Sequence, residues 1–322
     1  MLVRSINHIF KLHGLWSLLC CFYSFTAFGQ SIHRKEVGIQ SDNDAYLFIS
    51  QDQYYTNGIA FYLRGLRREK SIHIRQSKQI WEISVGHKLY NAYNGYAEYP
   101  NIDRPFTAYL FANGNHSWFY KNESLFRIGG ELGIYGKGAF GRWLQEGFHQ
   151  LLGFYKIQGW DYQLRGNVTL DLRSGYTKLL WRNKSKTMDI QGNARASLGL
   201  NQSYLGIGPT LRLGKINSLF ESAATKSRLS ATSKSPATER YFYYVPQLFY
   251  RFYDASIEGG MLLRDKGPIT FGIKPWMLNQ RIGFVYAKKR ITLDAHVIFN
   301  TKEVRSRATA HQYASLALSY VL

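Results

Sequence analysis

Cysteine is nearly missing from this chain: Cys20 and Cys21, adjacent and close to the start, are the only two. Disulfides, thiol nucleophiles and cysteine-ligated metals are therefore excluded from the rest of the sequence. Long apolar runs are missing too. The longest, Leu15 to Phe28, has fourteen mostly apolar residues, fewer than the roughly 18 a membrane-spanning helix needs. It follows Arg4 and Lys11 and stops at Gly29-Gln30-Ser31. That order of basic, apolar and small residues predicts a secretory signal peptide over residues 1–29 and an exported remainder, 30–322. Acidic residues are few, 21 against 41 Lys and Arg, and the formal charge of +20 is still +18 without Arg4 and Lys11. Such a surplus favours a polyanionic partner. For an exported chain that means anionic lipids; no nucleic-acid-binding module is recognisable, and nothing points to a protein partner. P-loops, dinucleotide fingerprints, HExxH motifs and internal repeats are likewise absent.

Aromatic residues are abundant, 24 Tyr and 20 Phe, yet mean hydropathy is only −0.29. A transmembrane β-barrel has this mixture, because each strand alternates a lipid-facing and a lumen-facing side chain. The alternation is legible directly. Ile291, Leu293, Ala295, Val297 and Phe299 oppose Thr292, Asp294, His296 and Asn300. Phe126, Ile128, Leu132 and Ile134 oppose Arg127, Glu131 and Tyr135, and Trp81, Ile83 and Val85 oppose Glu82, Ser84 and Lys88. Further strands are expected at about 34–44, 55–65, 105–118, 162–172, 175–183, 187–199, 203–214, 240–252, 255–263, 272–286 and 309–322. The expected fold is all-β, an antiparallel outer-membrane barrel of about 12 strands.

Two stretches break the pattern. Residues 141–153 place Leu144, Phe148, Leu151 and Leu152 at helical spacing, with Gln145 and His149 four apart on another face. They predict a helix in an extracellular loop, its apolar face pinned against the barrel. Residues 216–239, rich in Ser, Thr, Lys and Ala without periodicity, predict a mobile loop.

Three places carry candidate chemistry. Ser41-Asp42-Asn43-Asp44 ends the first strand and reads either as a turn or as oxygen ligands for a hard cation such as Ca²⁺. Strict alternation sends Asn43 and Asp44 to opposite faces, so a shared site needs a bulge or a strand end. Asp52-Gln53-Tyr54-Tyr55-Thr56-Asn57-Gly58 leads into the second strand, with Thr56 one short loop from Asp44. His149, on the loop helix, can take a proton from water near neutral pH.

In order along the chain, Asn43-Asp44, Tyr54-Tyr55-Thr56-Asn57-Gly58, Asp103-Arg104-Pro105-Phe106, Gln145 to Gly153, Gly159 to Leu164 and Leu205 to Gly214 together resemble the outer-membrane lipid A 3′-O-deacylase (LpxR) family. The resemblance implies a barrel with its active site between the wall and an extracellular-loop helix. It also implies Ca²⁺-dependent hydrolysis of the ester that holds the 3′-acyloxyacyl group on lipid A. His149 then matches the catalytic histidine, Gln145 the glutamine one turn before it, Thr56 the strand threonine, and Asn43 and Asp44 the pair at the metal. One departure stands out: where a well-studied member carries an acidic residue, six positions beyond the histidine, this chain has Tyr155. Arg64, Arg67, Arg68, Lys70, Arg104 and Arg142 are candidates to hold lipid A phosphates, or are solvated loop charges. The rival readings are a serine-dependent outer-membrane phospholipase and a non-catalytic channel or structural barrel of the same fold.

Overall fold

The computed structural model describes residues 34–47, 52–67, 76–95, 97–230 and 238–322; the predicted signal peptide lies outside them. Twelve strands close antiparallel into a barrel: β1 (Lys35–Asn43), β2 (Tyr55–Leu66), β3 (Gln76–Tyr90), β4 (Thr107–Tyr120), β5 (Ser124–Tyr135), β6 (Asn167–Arg182), β7 (Met188–Gly199), β8 (Gln202–Lys215), β9 (Glu239–Asp254), β10 (Trp276–Lys288), β11 (Ile291–Asn300) and β12 (His311–Val321). Each pairs with its sequence neighbours, and β12 pairs with β1, so no sheet edge is left over. The alternation sorts side chains as expected. On β5, Leu132 is 55% exposed on the outer wall while its neighbour Glu131, 2% exposed, turns into the lumen.

Two expected strands are not found as such. Residues 162–166 are the end of a 3-10 turn and a loop, and 167–172 and 175–182 belong to one strand, β6, because Arg173, Ser174 and Gly175 keep register with β5 and β7 and interrupt neither ladder. Residues 255–263 are a loop: Asp254 caps a short helix, Ala255–Glu258, by accepting from the Ser256 amide, and Gly259 follows at φ 74°.

Short connections at 121–123, 183–187 and 289–290 share one end with both strand termini, which marks that end as periplasmic; the long loops lie at the other. One long connection breaks this rule. Where composition predicts a mobile loop, residues 216–230 fold back across the periplasmic mouth as a packed plug. Phe220 and Leu229 join Ile80, Phe119, Leu125 and Val321 in an apolar cluster. Ser222 accepts from Arg212 at 2.6 Å and donates to Glu239 at 2.8 Å, and the Lys78 ammonium reaches the Leu229 carbonyl at 2.8 Å. Small hydroxyl residues show no hydrophobic period, but their oxygens satisfy buried charges of the strands. At the outer end Tyr55, Tyr90, Tyr109, Tyr135 and Tyr253 fill the lumen, with Tyr109 and Tyr135 stacked at 4.4 Å.

Candidate active site

Two local irregularities build the rim where β1 meets β2. Past the end of β1 the chain turns sharply, the Asn43 side-chain oxygen accepting from the Ala45 amide at 2.7 Å. Asp44 is left beyond the strand and 2% exposed. On β2 the register shifts between Tyr55 and Asn57, so Thr56 is a bulge residue without a partner on β3. Just before it, Tyr54 has φ 54°, in the left-handed region. The bulge turns Thr56 toward the carboxylates: its Oγ1 is 2.8 Å from Asp52 Oδ1 and 3.2 Å from Asp44 Oδ1. The strand end expected after Asn43 is found and frees Asp44, while the bulge lies on β2 and Asn43 does not share the site.

The imidazole arrives from helix α1 (Gly141–Leu152). Gly141, Gln145 and His149 form its buried stripe. A Cβ at Gly141 would stand 2.3 Å from the Ala108 Cβ on β4, so glycine sets the close approach of helix to wall. Gln145 Oε1 accepts from Trp160 Nε1 at 3.0 Å, which fixes the helix rather than reaching the carboxylates. Gly153, at φ 73°, ends α1, and the Phe154 amide donates to the His149 carbonyl at 2.8 Å.

The expected orientation of α1 is reversed. Its polar stripe packs on the barrel, while Trp143 (74% exposed), Phe148 (52%) and Leu151 (69%) face outward. An apolar face turned away from the wall has the bilayer as its solvent, which the periodicity alone does not reveal.

His149 Nδ1 lies 2.8 Å from the Tyr155 carbonyl. A carbonyl only accepts, so Nδ1 carries a proton and Nε2 is the nitrogen presented to the site. Nε2 is 3.1 Å from Asp52 Oδ2, which also accepts from the Tyr155 hydroxyl at 2.5 Å. The tyrosine thus stands where the acidic residue was expected and binds a carboxylate sent from another loop. The structure joins His149, Thr56 and Asp44 through Asp52 and leaves Asn43 in its turn. Motif reasoning passed over Asp52 and noted Tyr155 only as a departure, without a role. Asp52 had a signal, since it opens the same segment as Thr56.

This cluster has more acceptors than protons. The single Thr56 hydroxyl proton faces two carboxylates, and Nε2 faces a third carboxylate oxygen. Asp44 has no ion-pair partner among the described residues, and burial pushes its carboxyl up to about 7, against the hydrogen bond it accepts from the Gln53 amide. No group of three His, Cys, Asp or Glu side chains suited to a metal is preformed among the described residues. The deficit is nonetheless one a hard cation fits: two carboxylates and a hydroxyl, all oxygen donors.

Of the basic candidates, one remains beside this site. Arg142 on α1 pairs with Glu146 at 2.9 Å and Asp161 at 2.7 Å. Arg64 is in the lumen between Glu36 and Glu82, eight residues down β2 from Thr56, or about 26 Å toward the periplasm. Arg67 lies just beyond the periplasmic end of β2. Arg104 is buried over the Tyr90 ring and donates to Ser256 at 2.9 Å. Arg68 and Lys70 fall outside the described residues.

Comparison with curated proteins finds no match. Among solved structures, LpxR from Salmonella typhimurium aligns with TM-score 0.71 at 17% identity, over 89% of this chain and 100% of that one; at that identity the likeness establishes the fold. The β domain of the Bordetella autotransporter BrkA aligns over 90% of this chain and 99% of its own at TM-score 0.48 and 10% identity. The KdgM porin covers 89% and 99% at TM-score 0.36 and 8% identity. Both are too distant to carry more. The family model described as outer membrane protein LpxR matches residues 15–322, so the chain belongs to the LpxR family of outer-membrane proteins.

Proposed function

We propose that the protein is an outer-membrane carboxylic ester hydrolase that removes the 3′-acyloxyacyl group of lipid A, with His149 as general base. The observation that carries this reading is the meeting of a loop-helix imidazole with Asp52, Thr56 and Asp44 on the outer rim of the wall. A lipid lying in the outer leaflet reaches that rim without entering the barrel. The Tyr155 carbonyl holds the proton on Nδ1 and leaves the Nε2 lone pair to take a proton from water. That water oxygen bonds to the ester carbonyl carbon. The carbon–oxygen bond to the sugar breaks, and the proton passes from Nε2 to the departing sugar oxygen, giving a free acid and a 3-hydroxyl. Asp44 and Asp52 would hold Ca²⁺, and a bound ion would contribute positive charge that stabilises the oxyanion. Asn43 shapes the turn that presents Asp44. A passive channel is opposed by the plug and the tyrosine layer across the lumen.

Mass spectrometry of lipid A from cells with and without the gene tests the activity. The expected product is lighter by one acyloxyacyl unit; unaltered lipid A in cells holding the folded barrel overturns the proposal.

The outward face of α1 makes a separate prediction. Trp143→Glu with Phe148→Glu puts two charges where the helix meets acyl chains. Turnover of lipid A in vesicles is expected to fall about tenfold or more, while a water-soluble short-chain ester is hydrolysed at the wild-type rate. Equal losses on both substrates would mean that this face supports the site itself rather than membrane contact.

A further inference from the structure

The lumen between the plug and the tyrosine layer encloses a cavity of about 460 Å³ that the hydrolytic reading does not use. Its lining holds eight basic side chains and three acidic ones, Glu36, Glu82 and Asp294. Half of the eight are paired: Arg64 sits between Glu36 and Glu82, Lys226 lies 3.4 Å from Glu82, Arg212 binds Asp189 at 2.6 Å, and Arg173 binds Glu131 at 2.5 Å. Arg127, Arg195 and Arg281 have no ion pair among the described residues. Arg127 donates to neutral oxygens, Ser117 Oγ at 2.9 Å and the Thr225 carbonyl at 3.4 Å. Nε of Arg281 is buried without a partner. Asp294 is occupied by the Tyr243 hydroxyl at 2.7 Å and His296 at 3.1 Å.

The register gathers these groups. Arg127 on β5, Gly175 on β6 and Arg195 on β7 lie in one row across three neighbouring strands, their Cα atoms on β5 and β7 about 10 Å apart. The strand between them carries no side chain at that level. A Cβ at Gly175 would meet nothing closer than a backbone oxygen at 3.8 Å, so the space over it is open. Arg281 stands close enough across the lumen to repel Arg195, as does Arg127. Three cations without an ion pair line this space, and the acidic groups of the lining are already engaged, Glu36 and Glu82 by Arg64 and Asp294 by Tyr243 and His296, so a bound anion would offset their repulsion. Planar guanidinium groups pair bidentately with carboxylate and phosphate oxygens alike, and the higher charge of phosphate, about −2 near neutral pH, answers three cations better than a single carboxylate does.

We propose that the lumen binds a phosphate group, as inorganic phosphate or a small phosphomonoester, held over Gly175 by Arg127, Arg195 and Arg281. The site is separate from the rim and is independent of the hydrolytic reading. To test it, full-length mature protein is folded from urea into phosphate-free non-ionic detergent, and its urea midpoint is measured with added inorganic phosphate against chloride at matched ionic strength. A ligand that binds only the folded state raises the midpoint saturably. Phosphate also stabilises proteins by exclusion, an effect common to all variants. The readout is therefore the saturable difference. Arg195→Gln with Arg281→Gln is expected to lose at least nine-tenths of it. So is Gly175→Leu, which fills the gap and keeps every charge; folding of each variant is checked by heat-modifiable electrophoretic mobility. Protein extracted from membranes is then denatured and its released phosphorus separated into inorganic and ester forms, which distinguishes the two sources. A phosphate response equal in wild type and both variants, or absent from wild type, overturns the site.

Discussion

His149→Ala is expected to lower acyl release from lipid A in mixed micelles by about 10² to 10⁴-fold, the usual worth of a general base. Folding should be unaffected. The imidazole touches Asp52 and the Tyr155 carbonyl, both in loops, and no strand pairing passes through it. The folded band in heat-modifiable electrophoresis therefore serves as the control. If the variant released acyl chains at the wild-type rate with that band intact, His149 would not be the base. A contrasting result is expected at Gln145, which bonds Trp160. Its loss should loosen the seating of α1 and reduce turnover less than loss of the imidazole.

Chelation is the second large effect. With a chelator in excess, turnover is expected to fall by at least about 10²-fold, because charge stabilisation of the oxyanion by a metal is worth several kcal/mol. Added Ca²⁺ should restore it, and Mg²⁺ should do so poorly, since its small octahedral shell suits this irregular set of carboxylate and hydroxyl oxygens less well. Asp52→Asn bears on the same point. It keeps the shape of the side chain but removes one of the two carboxylates, so Ca²⁺ should be required at higher concentration for half-maximal rate. Chelator-resistant activity would rule out the metal, and an unchanged Ca²⁺ requirement in Asp52→Asn would remove that residue from its site.

The barrel was legible because alternation is a backbone property: wherever Ile291 to Phe299 or Phe126 to Ile134 showed a period of two, a strand formed with the apolar parity outward. Errors arose where other interactions decided. The expected break at Arg173-Ser174, two polar residues, is no break, because both keep register with β5 and β7. Asp254 and the Gly259-Gly260 pair turn an apolar stretch into a capped loop. The plug was missed because its Ser and Thr hydroxyls answer charges on strands far away in sequence. At the rim, Thr56, Asp44 and His149 were found from motif order and do converge. Asp52 was passed over because its role depends on Tyr155, 103 residues away, and a pairing at that distance leaves no mark on local spacing. The reversed face of α1 follows from the same blindness: helical periodicity reports that two faces exist, not which solvent each one meets.

The plug and the tyrosine layer have a consequence for the cell as well as for the protein. If the protein is the hydrolase proposed above, many copies are needed to process an abundant outer-leaflet lipid, and each copy is a cylinder through the permeability barrier. With Phe220 and Leu229 packed at one mouth and stacked rings at the other, the lumen is narrowed at both ends. A barrel narrowed in this way is expected to admit fewer small solutes as its copy number rises than an open porin would.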